Sequence, residues 1–270
     1  MDINLLYQRY RGLKEDNSNQ FNTRHVRDLL ISELTDDLWI VVSSDSDGGI
    51  GPKIHDTVFS PAYDLGRLGT RVPLMELMAS GALPIMVIDV LSVEMEPTGK
   101  EIIRGVKDEV EEAGMRGNSV VTGSTEDNVE TNQTGIGVVI IGLVHKDDFR
   151  PGKSLDSDIV VAVGKPKSAP EYKVIFNDGE ITNTKTISEL NRCKFIHDIL
   201  PVGSKGIQHE FYELAKSAGL LPHYYSVNDV DVAKSGGPST CCLVSLPKNE
   251  LHMLQHKINK PMSIIGELRG

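Results

Sequence analysis

Four stretches of this chain gather residue types that do chemistry. The first is Asp45-Ser-Asp47-Gly48-Gly49-Ile-Gly51-Pro-Lys53, where an apolar run ends in carboxylates, glycines and a lysine. Aspartates at i and i+2 can point at a common cation. Glycines let the backbone approach a ligand closely, and Lys53 could meet a phosphate as a point charge. An acidic glycine-rich turn is also an ordinary surface feature, so this stretch alone leaves both readings open. Two better-known phosphate motifs are excluded. Ile54 stands where a dinucleotide fingerprint needs its third glycine, and Asp147 stands where a P-loop ending in Gly152-Lys153-Ser154 needs its first.

The second stretch is Glu76 with Gly81-Ala-Leu-Pro84 and Asp89. A helix glutamate is usually solvated, but Asp89 interrupts an apolar strand, either as a functional acid or as a cap on a turn. The third is Thr122-Gly123-Ser124-Thr125-Glu126-Asp127-Asn128, followed by Thr131 and Gln133. Hydroxyls, acids and an amide between two apolar strands suit oxygen-ligand metal and phosphate chemistry better than a core. The fourth is His197-Asp198 with Gly203-Ser204-Lys205-Gly206 leading into a helix. Backbone amides at a helix start can receive an anion, and N-capping by Ser204 is the plainer alternative. His252 and His256 have helical i, i+4 spacing without a third ligand, and read as surface histidines.

The elements that must position these residues follow from hydrophobic periodicity. Strands are predicted at 38–44, 83–91, 119–122 and 134–144, with helices at 74–80 and 100–113, the second carrying Glu and Lys on its outer face. After the charged stretch 146–153, strands are predicted at 158–163, 240–245 and 263–265, and helices at 187–193 and 206–218. The N-terminal segment reads as a short arm or helix followed by a polar loop over 16–23. This is an α/β chain of two domains, 1–148 and 149–270, divided in that charged stretch.

The bulk composition narrows the function. The chain has 270 residues, 39% hydrophobic and 24% charged, with a formal net charge of -10. Such an acidic chain repels phosphate backbones, so no nucleic-acid partner is expected. ATP stays open, because a divalent cation bridges carboxylates to phosphates. The three cysteines, two of them adjacent at Cys241 and Cys242, fit reduced thiols in a cytoplasmic protein. The start MDINLLYQRYRGLKED lacks the pattern of a signal peptide, and no apolar run is long enough to span a bilayer, so no membrane is expected.

Taken in order and spacing, these stretches resemble the aminoimidazole ribonucleotide synthetase-like superfamily, which includes thiamine-monophosphate kinase and selenophosphate synthetase. Asp45 to Lys53 is similar to its Asp-Gly-x-Gly-Thr-Lys segment, with Pro52 in place of Thr. ELMASGALP (76–84) is similar to its Asp-x-x-Ala-x-Gly-Ala-x-Pro helix end, with Glu76 for Asp. Thr122 to Asn128 falls at its Gly-Gly-Asp/Glu segment, with Ser124 in the place of the acid. The His197–Gly206 turn and the closing Ile265-Gly266-Glu267 have counterparts there too. The strings GSTEDN, QTGIGVVIIG and SVEMEPTGKEIIRGV resemble the α-ribazole kinases within that superfamily.

The resemblance implies a two-domain fold, with an N-terminal mixed sheet and helices plus a C-terminal α/β domain, and a homodimer. It implies a kinase using ATP and Mg2+ to phosphorylate a small-molecule acceptor, the 5′-hydroxyl of α-ribazole. Asp45, Asp47, Glu76 and either Glu126 or Asp127 would then be metal ligands. Gly48, Gly49, Gly51, Lys53, Gly123, Ser124 and Thr125 would hold the nucleotide. Asp45, Asp47 and Lys53 would act in catalysis, and Asp198, Lys205 and Gly206 would face the acceptor. Two other readings share the fold: an ATP-dependent synthetase working through a phosphorylated intermediate, and a non-catalytic nucleotide-binding scaffold.

Overall fold

A computed structural model of the chain describes residues 3–15, 21–226 and 229–270. Helix α1 (Ile3–Glu15) is followed by strands β1 (Thr23–Val26), β2 (Leu29–Glu33), β3 (Leu38–Gly48), β4 (Ile50–Gly51) and β5 (Val58–Phe59). Helix α2 (Ala62–Ala79), β6 (Leu83–Leu91), α3 (Lys100–Glu112), the single turn α4 (Gly117–Val120), β7 (Val121–Ser124) and β8 (Gly135–His145) complete the first half. The second half runs β9 (Ile159–Gly164), α5 (Thr184–Asn191), β10 (Asp198–Pro201), α6 (Gly206–Ser217), β11 (Leu221–Tyr224), β12 (Cys241–Leu246), α7 (Leu251–Lys257) and β13 (Met262–Arg269). Part of the loop expected over 16–23 lies outside the described residues. No described helix is long and apolar enough to cross a membrane.

The first sheet has the order β1-β2-β3-β8-β6-β7, antiparallel except for the parallel pair β6–β7. The second, β10-β12-β9-β13-β11, is antiparallel throughout. Along β8, buried and half-buried residues alternate, as a sheet covered on one face requires. Ile136, Val138 and Ile140 face inwards towards α2 and α3, with Val41 and Val87 beside them. That core is continuous with Ile159, Val161, Ile187 and Val244 of the second half.

Three expectations change in the structure. The strand expected over 38–44 runs on to Gly48, because Asp45 and Asp47 pair in register with Val138 and Ile136 of β8. The helix expected over 74–80 begins at Ala62. Pro73 lies inside it, and the buried Ser43 hydroxyl donates to the Pro73 carbonyl at 2.6 Å. Helix α3 does not keep all its acids outside. Glu109 is fully buried between Arg67 and Arg71 of α2, whose Nε atoms lie 2.6 and 2.8 Å from its carboxylate. A buried charge is held only when it is paired in this way. The chain also carries strands with weak periodicity, β1, β2, β10 and β11, that the sequence reading does not predict.

Candidate functional site

Side chains alternate along a strand, so Val41, Ser43, Asp45 and Asp47 share the face of β3 that α2 covers. Asp47 is delivered against Gly69 of α2: a methyl group placed there would lie 3.1 Å from its Oδ2. Glu76, seven residues further along the same helix, projects from the same side. Asp45, Asp47 and Glu76 line one cavity of about 1160 Å3. Its opposite wall comes from the second half: Lys205, His209 and Glu210 at the start of α6, and Tyr172 with Lys173 from the segment after β9.

The acids in this cavity are poorly compensated. Burial, reinforced by repulsion from Asp28, Asp45 and Glu210, pushes Glu76 up to about 8. Its Oε2 is buried without a hydrogen-bond partner among the described residues. Burial and then the neighbouring Asp45 raise Asp47 to about 6. Burial raises Asp45 as well, against a hydrogen bond from the Ser46 backbone. Glu210 rises to about 7, through burial and then Asp28, against a backbone hydrogen bond at Gly203 and the charge of Arg27. Desolvated carboxylates facing one another invite a cation.

The donor set is all oxygen and one buried oxygen is orphaned, which fits a hard divalent ion. Among the described residues, no group of His, Cys, Asp and Glu side chains is arranged to hold a metal ion by itself. Magnesium is ordinarily held by one or two carboxylates together with substrate phosphates rather than by a protein cage. Asp45, Asp47 and Glu76 therefore fit magnesium as partial ligands.

Other residues singled out by sequence lie elsewhere. Lys53 is absent from this cavity and lines a smaller one of about 520 Å3 with Glu94, Glu126 and Asp127. Its Nζ donates to Glu94 Oε2 at 2.5 Å and to the Thr131 carbonyl at 2.8 Å, so its charge is already taken. Asp127 accepts from Met95 N and from the Thr125 hydroxyl, at 3.0 and 2.9 Å. Glu126 accepts from the Asn128 and Val129 amides at 2.8 and 3.2 Å. Ser124 ends β7, three strand positions from β3, about 14 Å at ordinary strand spacing. Within one copy of the chain, Glu126 and Asp127 do not join Asp45, Asp47 and Glu76.

The glycines divide similarly. Gly49 has φ +72°, and a side chain there would strike Gln133. Gly51 is packed on Thr134 and Asp56, and Asp56 Oδ2 binds the Lys53 amide at 2.8 Å and the Thr134 hydroxyl at 2.7 Å. This turn is wired to itself rather than open to a phosphate, while nothing crowds Gly48. Gly123 is pressed on Asp89. Asp89 sits inside β6 rather than capping a turn, is buried, keeps Oδ2 without a partner among the described residues and is pushed by burial to about 6.

On the expected acceptor side, Lys205 lines the large cavity and makes no ion pair among the described residues. It also takes the N-cap position of α6 that Ser204 was expected to hold, with no side-chain capping bond. Asp198 does not face the cavity. It is fully buried, bonded to Arg27 and to the Gly152 and Ile199 amides, with no lone pair directed at a ligand. Gly206 is packed on the backbone of Ala233 and Lys234, which accounts for its lack of a side chain. Cys193, Cys241 and Cys242 are buried free thiols, and His252 and His256 are exposed. Glu210, His209 and Asp28 escaped sequence reading. Nothing local separates Glu210 from the other polar residues of an amphipathic helix, since its place in the cleft depends on how α6 packs.

Residues 27–144 match the family described as AIR synthase related protein, N-terminal domain. The chain has the AIR synthase-like fold. Solved structures repeat it over most of the chain. Thiamine-monophosphate kinase from Stenotrophomonas maltophilia K279a is 16% identical with a TM-score of 0.65, over 98% of this chain and 93% of that one. PurL of T. maritima, complexed with ATP, is 15% identical with a TM-score of 0.63, over 88% of this chain and 42% of that one. The hydrogenase maturation protein HypE, in complex with ATP, is 13% identical with a TM-score of 0.60, over 88% and 78%. At these identities the likeness establishes the AIR synthase-like fold and not a shared reaction. No curated protein matches the sequence.

Proposed function

We propose that this protein is a magnesium-dependent kinase that transfers the γ-phosphoryl group of ATP to a hydroxyl of a small molecule, and that the acceptor is α-ribazole. The observation that carries this reading is the set of desolvated carboxylates, Asp45, Asp47, Glu76 and Glu210, around one cavity of about 1160 Å3. Small-molecule pockets run to about 300–1,000 Å3, and this cleft lies at the top of that range, as a site that takes a triphosphate beside an acceptor requires. Fold neighbours complexed with ATP support the choice of nucleotide.

Phosphoryl transfer asks the protein mainly to position groups and neutralise charge. Magnesium, when bound, would supply that charge neutralisation, and Asp45, Asp47 and Glu76 are the residues of the first half that would hold it. Lys205, across the cleft, attracts the phosphate. Glu210, at about 7, has the affinity that suits a proton acceptor near neutral pH, and takes the proton of the attacking hydroxyl. Because Lys53 is paired with Glu94, this reading assigns it no catalytic step.

The protein works in this reading as a homodimer joined through the uncovered face of the first sheet. Ile40, Val42, Val139, Ile141 and Leu143 are all half-buried there, an apolar set that a second copy would cover.

The test is mass spectrometry of products after incubation with ATP, Mg2+ and α-ribazole, with thiamine monophosphate and no acceptor as controls. Phosphorylation of α-ribazole alone is the expected result. ATP consumption with neither acceptor phosphorylated removes α-ribazole. No consumption under any condition removes the kinase reading and favours a nucleotide-binding scaffold.

A further inference from the structure

We propose that Phe59 and Tyr172 form an aromatic clamp in the cleft that binds a planar heteroaromatic ring of the acceptor. The proposal rests on the kinase reading for the word acceptor, but the clamp itself is a feature of the cavity. Phe59 belongs to the first half of the chain, on β5, and is 77% exposed. Tyr172 belongs to the second half, after β9, and is 42% exposed. Both line the same large cavity. Neither stacks on another aromatic ring among the described residues, whereas Trp39 meets Phe149, Tyr63 meets Phe176 and Phe211 meets Tyr224.

Tyr172 is held in place rather than left loose. Lys234 Nζ lies 3.7 Å from its ring centroid, and the same ammonium is 2.9 Å from Glu171 Oε1. Lys234 does not line the cavity and Tyr172 does, so the cation covers the ring from outside the cleft. The segment is pinned on both flanks of the ring. On one side the Tyr172 amide donates to the Ser168 carbonyl at 2.9 Å. On the other, Arg71 Nη1 donates to the Phe176 carbonyl at 2.8 Å and the Arg67 guanidinium lies over the Phe176 ring. For Phe59 the strand sets the backbone, which pairs with Gly51. Tyr172, held by Lys234 before binding, loses little entropy when a ligand arrives.

The charged part of the lining, carboxylates with Lys173, Lys205 and His209, suits phosphate, metal and hydroxyl, and aliphatic residues such as Leu65, Leu68 and Val72 add apolar wall. Phe59 and Tyr172 are the Phe and Tyr rings in that lining. Stacking on their faces selects for a planar heterocycle without reading its edge. The adenine of ATP is also such a ring, and the experiment separates the two.

Binding of benzimidazole, and separately of ATP with Mg2+, would be measured by saturation-transfer NMR and calorimetry on the full chain. The comparison takes wild type, Phe59→Ala, Tyr172→Ala and Tyr172→Phe, each checked for an unchanged melting temperature. The expected result is about 10-fold weaker benzimidazole binding in each alanine variant, the order of one stacking contact. Tyr172→Phe should bind as wild type does, and affinity for ATP should not move. Absence of benzimidazole binding to wild type, wild-type benzimidazole affinity in either alanine variant, or a loss confined to ATP would each overturn the clamp. Benzimidazole binding that depends on both rings, in a protein that does not phosphorylate α-ribazole, would keep the clamp and reject the proposed acceptor.

Discussion

Asp45, Asp47, Glu76 and Glu210 cost folding energy in the metal-free chain, because each carboxylate is charged at neutral pH in the unfolded state and disfavoured as an anion in the fold. For Glu76 the ordinary value is 4.5 and the folded value about 8. Between those values the folded chain keeps a proton that the unfolded chain releases. Stability from this group is therefore fully present below about pH 4.5 and is lost as pH rises through about 8. Asp47 and Glu210, at about 6 and about 7, act with the same sign. Without a divalent cation, the melting temperature should fall from about pH 5 to about pH 8.5, and Glu76→Gln should flatten that fall. Scanning fluorimetry across buffers measures it, and a flat wild-type profile would contradict the assignment. At the same scale, Asp45→Asn removes a partial metal ligand but leaves the strand intact. Turnover should drop by about 100-fold or more with an unchanged circular dichroism spectrum. Wild-type activity in that folded variant would sink the metal assignment.

Helices α2 and α3 decide whether those carboxylates are presented together. They approach through Gly66 and Gly105: a methyl on Gly105 would overlap the Tyr63 carbonyl and lie 2.9 Å from Arg67 N. In an exposed helix, Gly→Ala gains about 1 kcal/mol. Here the overlap should win, and Gly105→Ala should lower stability by about 1–3 kcal/mol, the range for an overpacked core. Urea denaturation measures the change, and an equal or higher midpoint would show that the two helices can separate without cost. Periodicity finds α3 within a residue at each end but misses most of α2, for a physical reason. Its first three turns carry Gly66, Gly69 and a nearby Pro73, residues that disfavour an isolated helix. Packing against α3 and the sheet outweighs that propensity.

Over the whole molecule, the cleft exists because two sheets are held side by side. Arg27, at the turn between β1 and β2, reaches Asp198 of β10 through both guanidinium nitrogens, and donates to Ser217 Oγ of α6 at 2.7 Å. Arg150, in the charged stretch between the sheets, donates to the Ile196 and Asn191 carbonyls at 2.6 and 2.9 Å. The expected domain boundary is thus tied into both halves. Arg27→Ala would strand the fully buried Asp198 without its cation. It should cost about 3–5 kcal/mol, read as a lower urea midpoint. A change below about 1 kcal/mol, the usual worth of a surface pair, would mean that this contact does not hold the halves together.

Sequence alone located β3, β6, β7 and β8 of the first sheet and helix α3, because each apolar run or stripe is a local signal of what must be buried; β1, β2 and most of α2 carry no such signal. It also determined that Asp45, Asp47 and Glu76 stand where apolar elements end or are interrupted, since a carboxylate breaks such a pattern visibly. Tertiary structure decided which of the singled-out residues meet. The pairing of β3 with β8 and the seating of α2 over them bring Asp47 to Gly69 and Glu76 into the same cavity. The strand order puts Ser124 at the far edge of the sheet, and Lys53 is drawn to Glu94 instead. The packing of α6 and of the segment after β9 adds Glu210 and Tyr172, which no spacing in the chain connects to Asp45. Burial patterns are local and survive in one dimension, whereas convergence depends on the relative placement of elements more than a hundred residues apart.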